Sequence, residues 1–149
     1  MIRISHELVV RRPVEVVFPY ASNLENMPQW GTSLAVEKLT EGPIGVGTRY
    51  REQAAFRGRR MELPDEVVAY EPNRTFAVHT ASRMLDSTTT TTFEPIGDGT
   101  TRLTYRVEAR PFGLVRLAAP LIARGIKRQF VADLANLKRI LEAEADPAP

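Results

Sequence analysis

Glu52, Asp65, Glu66 and His79 are titratable side chains that fall inside stretches of strand-forming sequence, and they set what chemistry the chain could do. A carboxylate pointing from a strand into an apolar interior has a raised pKa and could serve as general acid or base. Glu52 is the carboxylate we name as a catalytic candidate. The ordinary alternative for all three acids is a solvated outward position. His79 could move protons near neutral pH if its strand, Arg74 to Ala81, turned Ala77 and His79 inward. The simpler register turns Phe76 and Val78 inward and leaves His79 in solvent. His6 shares a face with Ile4 and Leu8, the position of a hydrogen-bonded core histidine. The chain has no cysteine and two histidines. That excludes thiolate chemistry, disulfides and cysteine-based zinc or iron–sulfur sites, and leaves little for a histidine-rich metal site. No metal or cofactor is expected. There is no phosphate-binding glycine loop, no nucleophile elbow, and no pair of carboxylates at a telling spacing. Gly45-Val46-Gly47 reads as a hairpin feature.

The second set of candidates would hold a ligand. Trp30, the single tryptophan, either stacks on a flat apolar ligand at a cavity mouth or plugs two short helices onto a sheet. Tyr20, Tyr50, Phe56, Phe76, Phe93 and Tyr105 are the other aromatics expected to face inward. A buried tyrosine hydroxyl needs a partner, which a ligand could supply. In the run Thr88 to Thr92, Thr89 and Thr91 share a face with Leu85 and Phe93. They could offer hydroxyls to a cavity while Thr88, Thr90 and Thr92 lie on the strand surface. Leu121 and Phe130 complete the expected lining from the last helix.

These residues are carried by a first strand, Ile2 to Val10, and then by two short helices. Pro13 pre-sets the first helical turn, Val14, Val17 and Phe18 give it an apolar stripe, and Pro19 makes it short or kinked. Ser22 or Asn23 caps the second, through Leu24, Met27 and Trp30, with Pro28 interrupting it. Six strands follow: Ser33 to Lys38, Thr48 to Phe56, Met61 to Tyr70, Arg74 to Ala81, Met84 to Glu94 and Thr101 to Ala109. Turns are marked by Glu71-Pro72-Asn73 and Gly97-Asp98-Gly99. Pro64 inside a central strand would demand a bulge. A long amphipathic segment, roughly 113 to 144, closes the chain, with Pro120 in the first turn of its main helix and Gly125 about a turn and a half in. The whole reads as one domain, 1–145, with 146–149 as a disordered tail. One helix cannot fill a curved sheet of this length, so a pocket is expected between them.

Among 149 residues, 20 are basic and 18 acidic, and the basic ones are mostly arginine. Such a small excess speaks against nucleic acid as a partner. No apolar run approaches the ~20 residues of a membrane span, and the start lacks the apolar core of a signal peptide, so a cytoplasmic location is expected. Arg116, Arg124, Lys127, Arg128, Lys138 and Arg139 form the polar side of the closing helix, against Asp133 and Glu142. A solvated face complementing the helix C-terminus accounts for them, with an acidic partner, RNA or an anionic membrane surface as the alternative. An edge strand or the helix surface could serve a homodimer, and no feature selects one.

This order resembles the START-like, or helix-grip, superfamily, and within it the polyketide cyclase/dehydrase branch. The closest matches are Pro13-Val14-Glu15-Val16-Val17-Phe18, Ser22 through Trp30, Gly47 opening the third strand, Tyr70-Glu71-Pro72-Asn73-Arg74, and the helix ending Leu137-Lys138-Arg139-Ile140-Leu141-Glu142. The resemblance implies an α+β fold: a seven-stranded antiparallel sheet curved around a long C-terminal helix, enclosing an apolar cavity. It implies binding of a hydrophobic, polycyclic or lipid-like small molecule. The alternatives are an aromatase/cyclase that closes and dehydrates a polyketide ring, and a ribosome- or protein-interaction module. Cyclases of this kind place a tyrosine just after the short helices and an arginine on the fourth strand. Trp30 to Val36 contains no tyrosine here and Met61 to Tyr70 no arginine, which counts against the enzyme.

Overall fold

The computed structural model describes residues 1–56 and 58–145, apart from the side chains of Phe56, Glu144 and Ala145. Seven strands form one antiparallel sheet: β1 (Ile2–Val10), β2 (Ser33–Lys38), β3 (Arg49–Phe56), β4 (Arg59–Glu71), β5 (Thr75–Ala81), β6 (Leu85–Pro95) and β7 (Thr101–Pro111). Their order is β1-β7-β6-β5-β4-β3-β2. Every consecutive pair from β2 to β7 is thus a hairpin neighbour, and β1 closes onto β7 with Ile2 opposite Ala109. Alternation along each strand puts Tyr50, Glu52, Asp65, Val67, Phe76, Val78, Thr89, Thr91, Leu103 and Tyr105 on one face, which is the concave face.

Between β1 and β2 lie α1 (Val14–Ala21), a single 3-10 turn at Leu24–Asn26, and α2 (Met27–Trp30). Pro13 occupies the N-cap position of α1, and Pro19 sits inside this eight-residue helix. Asn23 is the cap of the next turn: its side-chain oxygen accepts from the Glu25 amide at 3.1 Å. Pro28 then falls in the first turn of α2, where its missing N–H is harmless. The expected bulge is not at Pro64, which pairs with Arg51 in an unbroken β3–β4 register. The β4–β5 ladder ends at Asp65 opposite Thr80, so Pro64 lies one residue beyond it. The register shift falls instead at Val68, between the pairs of Val67 and Ala69. Asn73 takes a left-handed φ of 62°, which closes the β4–β5 turn.

The chain ends in a 3-10 lead at Gly113–Ala118 and α3 (Ala119–Ala145), 27 residues long. This is the helix-grip fold, but the grip is lopsided. α3 packs chiefly on β1. Its second half sends Leu134, Leu137 and Leu141 into a core with Val10, Val14, Val17, Phe18, Leu24 and Trp30. The Glu142 carboxylate accepts from the Arg11 amide at 2.9 Å, tying the helix end to the β1–α1 turn. Its first half makes only a thin second cluster, Ile122, Ile126 and Phe130 over Ile2, Ile4, Val107 and Ala109. The centre of the sheet is therefore roofed by the short helices and not by α3.

Candidate functional site

A cavity of about 60 Å³ lies under that roof. Ala21, Leu24, Met27 and Trp30 descend onto it from the short helices, and Phe76, Val78, Thr89, Thr91 and Tyr105 rise from β5, β6 and β7. Thr80, Glu52 and Asp65 complete one wall. Tyr50 faces Asp65 directly across the β3–β4 ladder and Glu52 faces Leu63, so the two carboxyl groups are diagonal neighbours on the concave face.

Hydrogen bonds fix this wall. The Thr80 hydroxyl donates to Asp65 at 2.6 Å, and the Ser33 hydroxyl donates to Glu52 at 2.5 Å. Burial, followed by the Glu52 carboxyl beside it, pushes Asp65 up to about 8. Asp65 therefore keeps its proton at neutral pH and can offer it to the Glu52 carboxyl beside it. Tyr105 is pushed up by burial and then by Asp133, Glu52 and Asp65, which keeps its phenol a neutral donor. Trp30 is buried in the lining, and its indole N–H has no hydrogen-bond partner among the described residues. The cavity therefore presents a proton-bearing carboxyl pair and an unused donor inside otherwise apolar and hydroxylic walls. Such a site can hold a carbonyl or hydroxyl oxygen and exchange a proton with it. No third side chain of metal-binding type joins the pair among the described residues.

Of the residues named from sequence, Trp30, Phe76, Thr89, Thr91, Tyr105 and Glu52 do meet at this cavity. Others do not. Leu121 is exposed on the first half of α3, and Phe130 stacks edge-on against Tyr105 at 5.2 Å behind the cavity wall, because α3 lies over β1. Phe93 packs against Phe18 at 5.0 Å within the core. The Tyr20 hydroxyl donates to Gln29 at 2.6 Å. Tyr50 is fully buried, its hydroxyl has no hydrogen-bond partner among the described residues, and burial followed by Glu25 raises it to about 12. The Phe56 side chain and residues 146–149 lie outside the described residues. His79 is on the convex face, where its Nε2 meets Asp86 at 2.5 Å. The Phe76 register thus decides its place, and Glu66 pairs with Arg49 on that same outer face.

Two residues escape sequence reading. Asp65 is one of three strand acids weighed from the sequence and not the one named there as a candidate, yet its pairing with Glu52 is the centre of the site. Asp133, expected among surface charges, is buried, and burial raises its pKa. It accepts from Gln129 at 2.7 Å and from the backbone at Thr32, which latches α3 to the end of α2. Buried acids on strand or helix carry no local signature; a hairpin register is what brings them together.

Farther along β4, at Leu63 and Met61, an open hollow of about 840 Å³ lies between the β3–β4 and β5–β6 hairpins. Arg59 and Arg60 stand there at the start of β4. The fourth strand does carry arginines, but at its tip, outside the stretch Met61 to Tyr70.

A curved antiparallel sheet, a roof of short helices, a C-terminal helix and a cavity between them define a START-like protein. The chain belongs to the family described as polyketide cyclase / dehydrase and lipid transport, which matches residues 1–142. Its fold is similar to one half of the di-domain ARO/CYC BexL from the BE-7585A biosynthetic pathway, at 19% identity and a TM-score of 0.80, covering 99% of this chain and 48% of that one. The chain thus spans about half the length of that protein. It is also similar to a protein of Thermus thermophilus (18% identity, TM-score 0.79, covering 97% and 99% of the two chains). A third likeness is the Zhui aromatase/cyclase of Streptomyces sp. R1128 (17% identity, TM-score 0.79, covering 97% and 96%). At these identities the likeness is one of fold. No curated protein matches the chain by sequence. No helix of the described residues is long and apolar enough to cross a membrane.

Proposed function

We propose that the chain binds a hydrophobic small molecule bearing a carbonyl or hydroxyl group, with that group at the Glu52–Asp65 pair and the apolar body extending along Leu63 and Met61. The observation that carries this reading is the cavity itself: apolar and hydroxylic walls around one proton-bearing carboxyl pair, with the indole N–H of Trp30 unused. Its size sets the form of binding. At about 60 Å³ the cavity takes one functional group, whereas whole drug-sized ligands occupy sites of roughly 300–1,000 Å³. The larger hollow at the hairpin tips offers room for the remainder.

Trp30 is a built-in reporter. Titration with 2-acetylnaphthalene should change its fluorescence, and Thr89→Phe, which fills the cavity, should abolish the change. Unaltered emission, together with no small molecule in an organic extract of the purified protein, would sink the reading.

A second reading, ring closure with loss of water, is supported by the same pair. The carboxylate can take a proton from a carbon beside one carbonyl; that carbon attacks a second carbonyl, whose oxygen takes the proton of the other carboxyl. With roles exchanged, the pair then removes a second proton from that carbon and protonates the new hydroxyl, which leaves as water. Under it, Glu52→Gln and Asp65→Asn retain probe binding and lose turnover of a β-hydroxy ketone chain. Binding and turnover lost together would favour simple binding.

A further inference from the structure

The first half of the closing helix is built unlike the second. From Ala109 to Ala132 there are five cations, Arg110, Arg116, Arg124, Lys127 and Arg128, and no acidic residue. Four of them sit on or beside the N-terminal half of a helix, where the macrodipole disfavours positive charge. Helix stability therefore does not explain them, in contrast to Lys138 and Arg139 near the other end. Interleaved with these cations is a stripe of large apolar side chains in solvent. Leu114, Leu117 and Leu121 are 84%, 82% and 71% exposed, and Phe112 joins them. The spacings of three and then four residues keep them on one side as the 3-10 lead passes into α3. The Phe112 amide donates to the Met84 carbonyl at 2.9 Å, which holds the lead against the β5–β6 hairpin. Arg83 of that hairpin and Arg59 and Arg60 of the next are exposed at the same end of the sheet.

We propose that this end of the molecule, Phe112 through Lys127 with the neighbouring hairpin tips, docks onto an anionic phospholipid surface. Exposed leucines alone would fit any apolar partner; the charge chooses among them. A second copy of this chain would bring an equally cationic face and repel, whereas a negatively charged bilayer accepts arginines at its headgroups and leucines just beneath. Docking also turns the open hollow beside Arg59 and Arg83 toward the membrane, from which an apolar ligand could enter. The proposal does not depend on what the cavity binds, and a protein with an inert cavity would still dock.

Co-sedimentation with vesicles tests it. The full chain should bind vesicles of phosphatidylcholine with 30% phosphatidylglycerol (about one charged lipid in three) and leave those of phosphatidylcholine alone, with binding falling as salt rises. The double variant Leu117→Ser/Leu121→Ser should weaken partitioning by at least roughly tenfold, the loss expected for two exposed leucines leaving the interface. Arg116→Gln/Arg124→Gln should do so at low salt only. All four side chains are exposed, so circular dichroism should show these variants folded. Three results would overturn the proposal: no binding to the anionic vesicles, binding indifferent to both variants, or a stable dimer in solution that Leu117→Ser dissociates.

Discussion

The two halves of α3 are one continuous helix with opposite fates. In the second half Leu134, Leu137 and Leu141 are fully buried against β1 and the short helices, and Asp133 and Glu142 latch it in place. In the first half Leu121, like Leu114 and Leu117 of the 3-10 lead, stands in water, and Ile122, Ile126 and Phe130 reach the sheet with Ala119 and Ala123. Stability is thus concentrated at one end of the concave face, and the other end is left free of core duty. The cavity sits at the border, under the short helices of the stable end.

The largest effect that could break this comparison is a matched pair of truncations. Leu137→Ala leaves a cavity in the core and should cost ~2–5 kcal/mol of unfolding free energy. Leu121→Ala removes a side chain already in water and should change stability by no more than about 0.5 kcal/mol. Urea denaturation of both, read by circular dichroism, gives the two values. Similar losses would mean that the first half of α3 shares in the core after all.

Much of this is legible in the sequence, for a physical reason. Alternating side chains and turn residues are local signals, so the strand series, the helix start at Pro13 and a cap at Ser22 or Asn23 can be read directly. The register of Phe76 and Val78 can be inferred because one face of a sheet must be apolar, and it sends His79 outward. What is not legible depends on contacts between distant segments. Nothing local in 113–144 says which side of the sheet the helix covers, so Leu121 and Phe130 are expected in the cavity and lie elsewhere. The helix periodicity assigns Asp133 to a charged face, although its partner is the backbone at Thr32. Glu52 and Asp65 come from the two arms of a hairpin whose register has to be known before they can be recognised as a pair.

The next effect in size concerns the border itself. Folding holds Asp65 protonated to about pH 8, whereas in the unfolded chain it ionises near its ordinary value of 3.8. Between those values the native state binds more protons than the unfolded one, so stability must fall as pH rises. The contribution is complete below about pH 4 and lost as pH passes through about 8. Asp65→Asn keeps the shape, can still donate to Glu52 and accept from Thr80, and carries no charge. It should melt higher than the parent at pH 9, by several degrees if about 1–2 kcal/mol is recovered, and should match it near pH 4. Thermal melts across that range decide the matter: equal slopes for parent and variant would mean that the pair is not desolvated in solution.

The smallest expected effect comes from the convex face, where the same chemistry stands in water. His79 and Asp86 approach to 2.5 Å, about as close as Ser33 and Glu52, but each is roughly two-fifths exposed. Solvent screens such a pair, and ordering two side chains offsets much of its attraction, so Asp86→Asn should cost only ~0–1 kcal/mol. It should leave Trp30 fluorescence and its response to the cavity probe unchanged. Asp86 differs from Asp65 in two respects: water reaches it, and its neighbour is an imidazole where that of Asp65 is a second carboxyl. If Asp86→Asn altered the probe response as strongly as Thr89→Phe, the two faces of the sheet would be coupled, and the concave wall could no longer be treated as a site of its own.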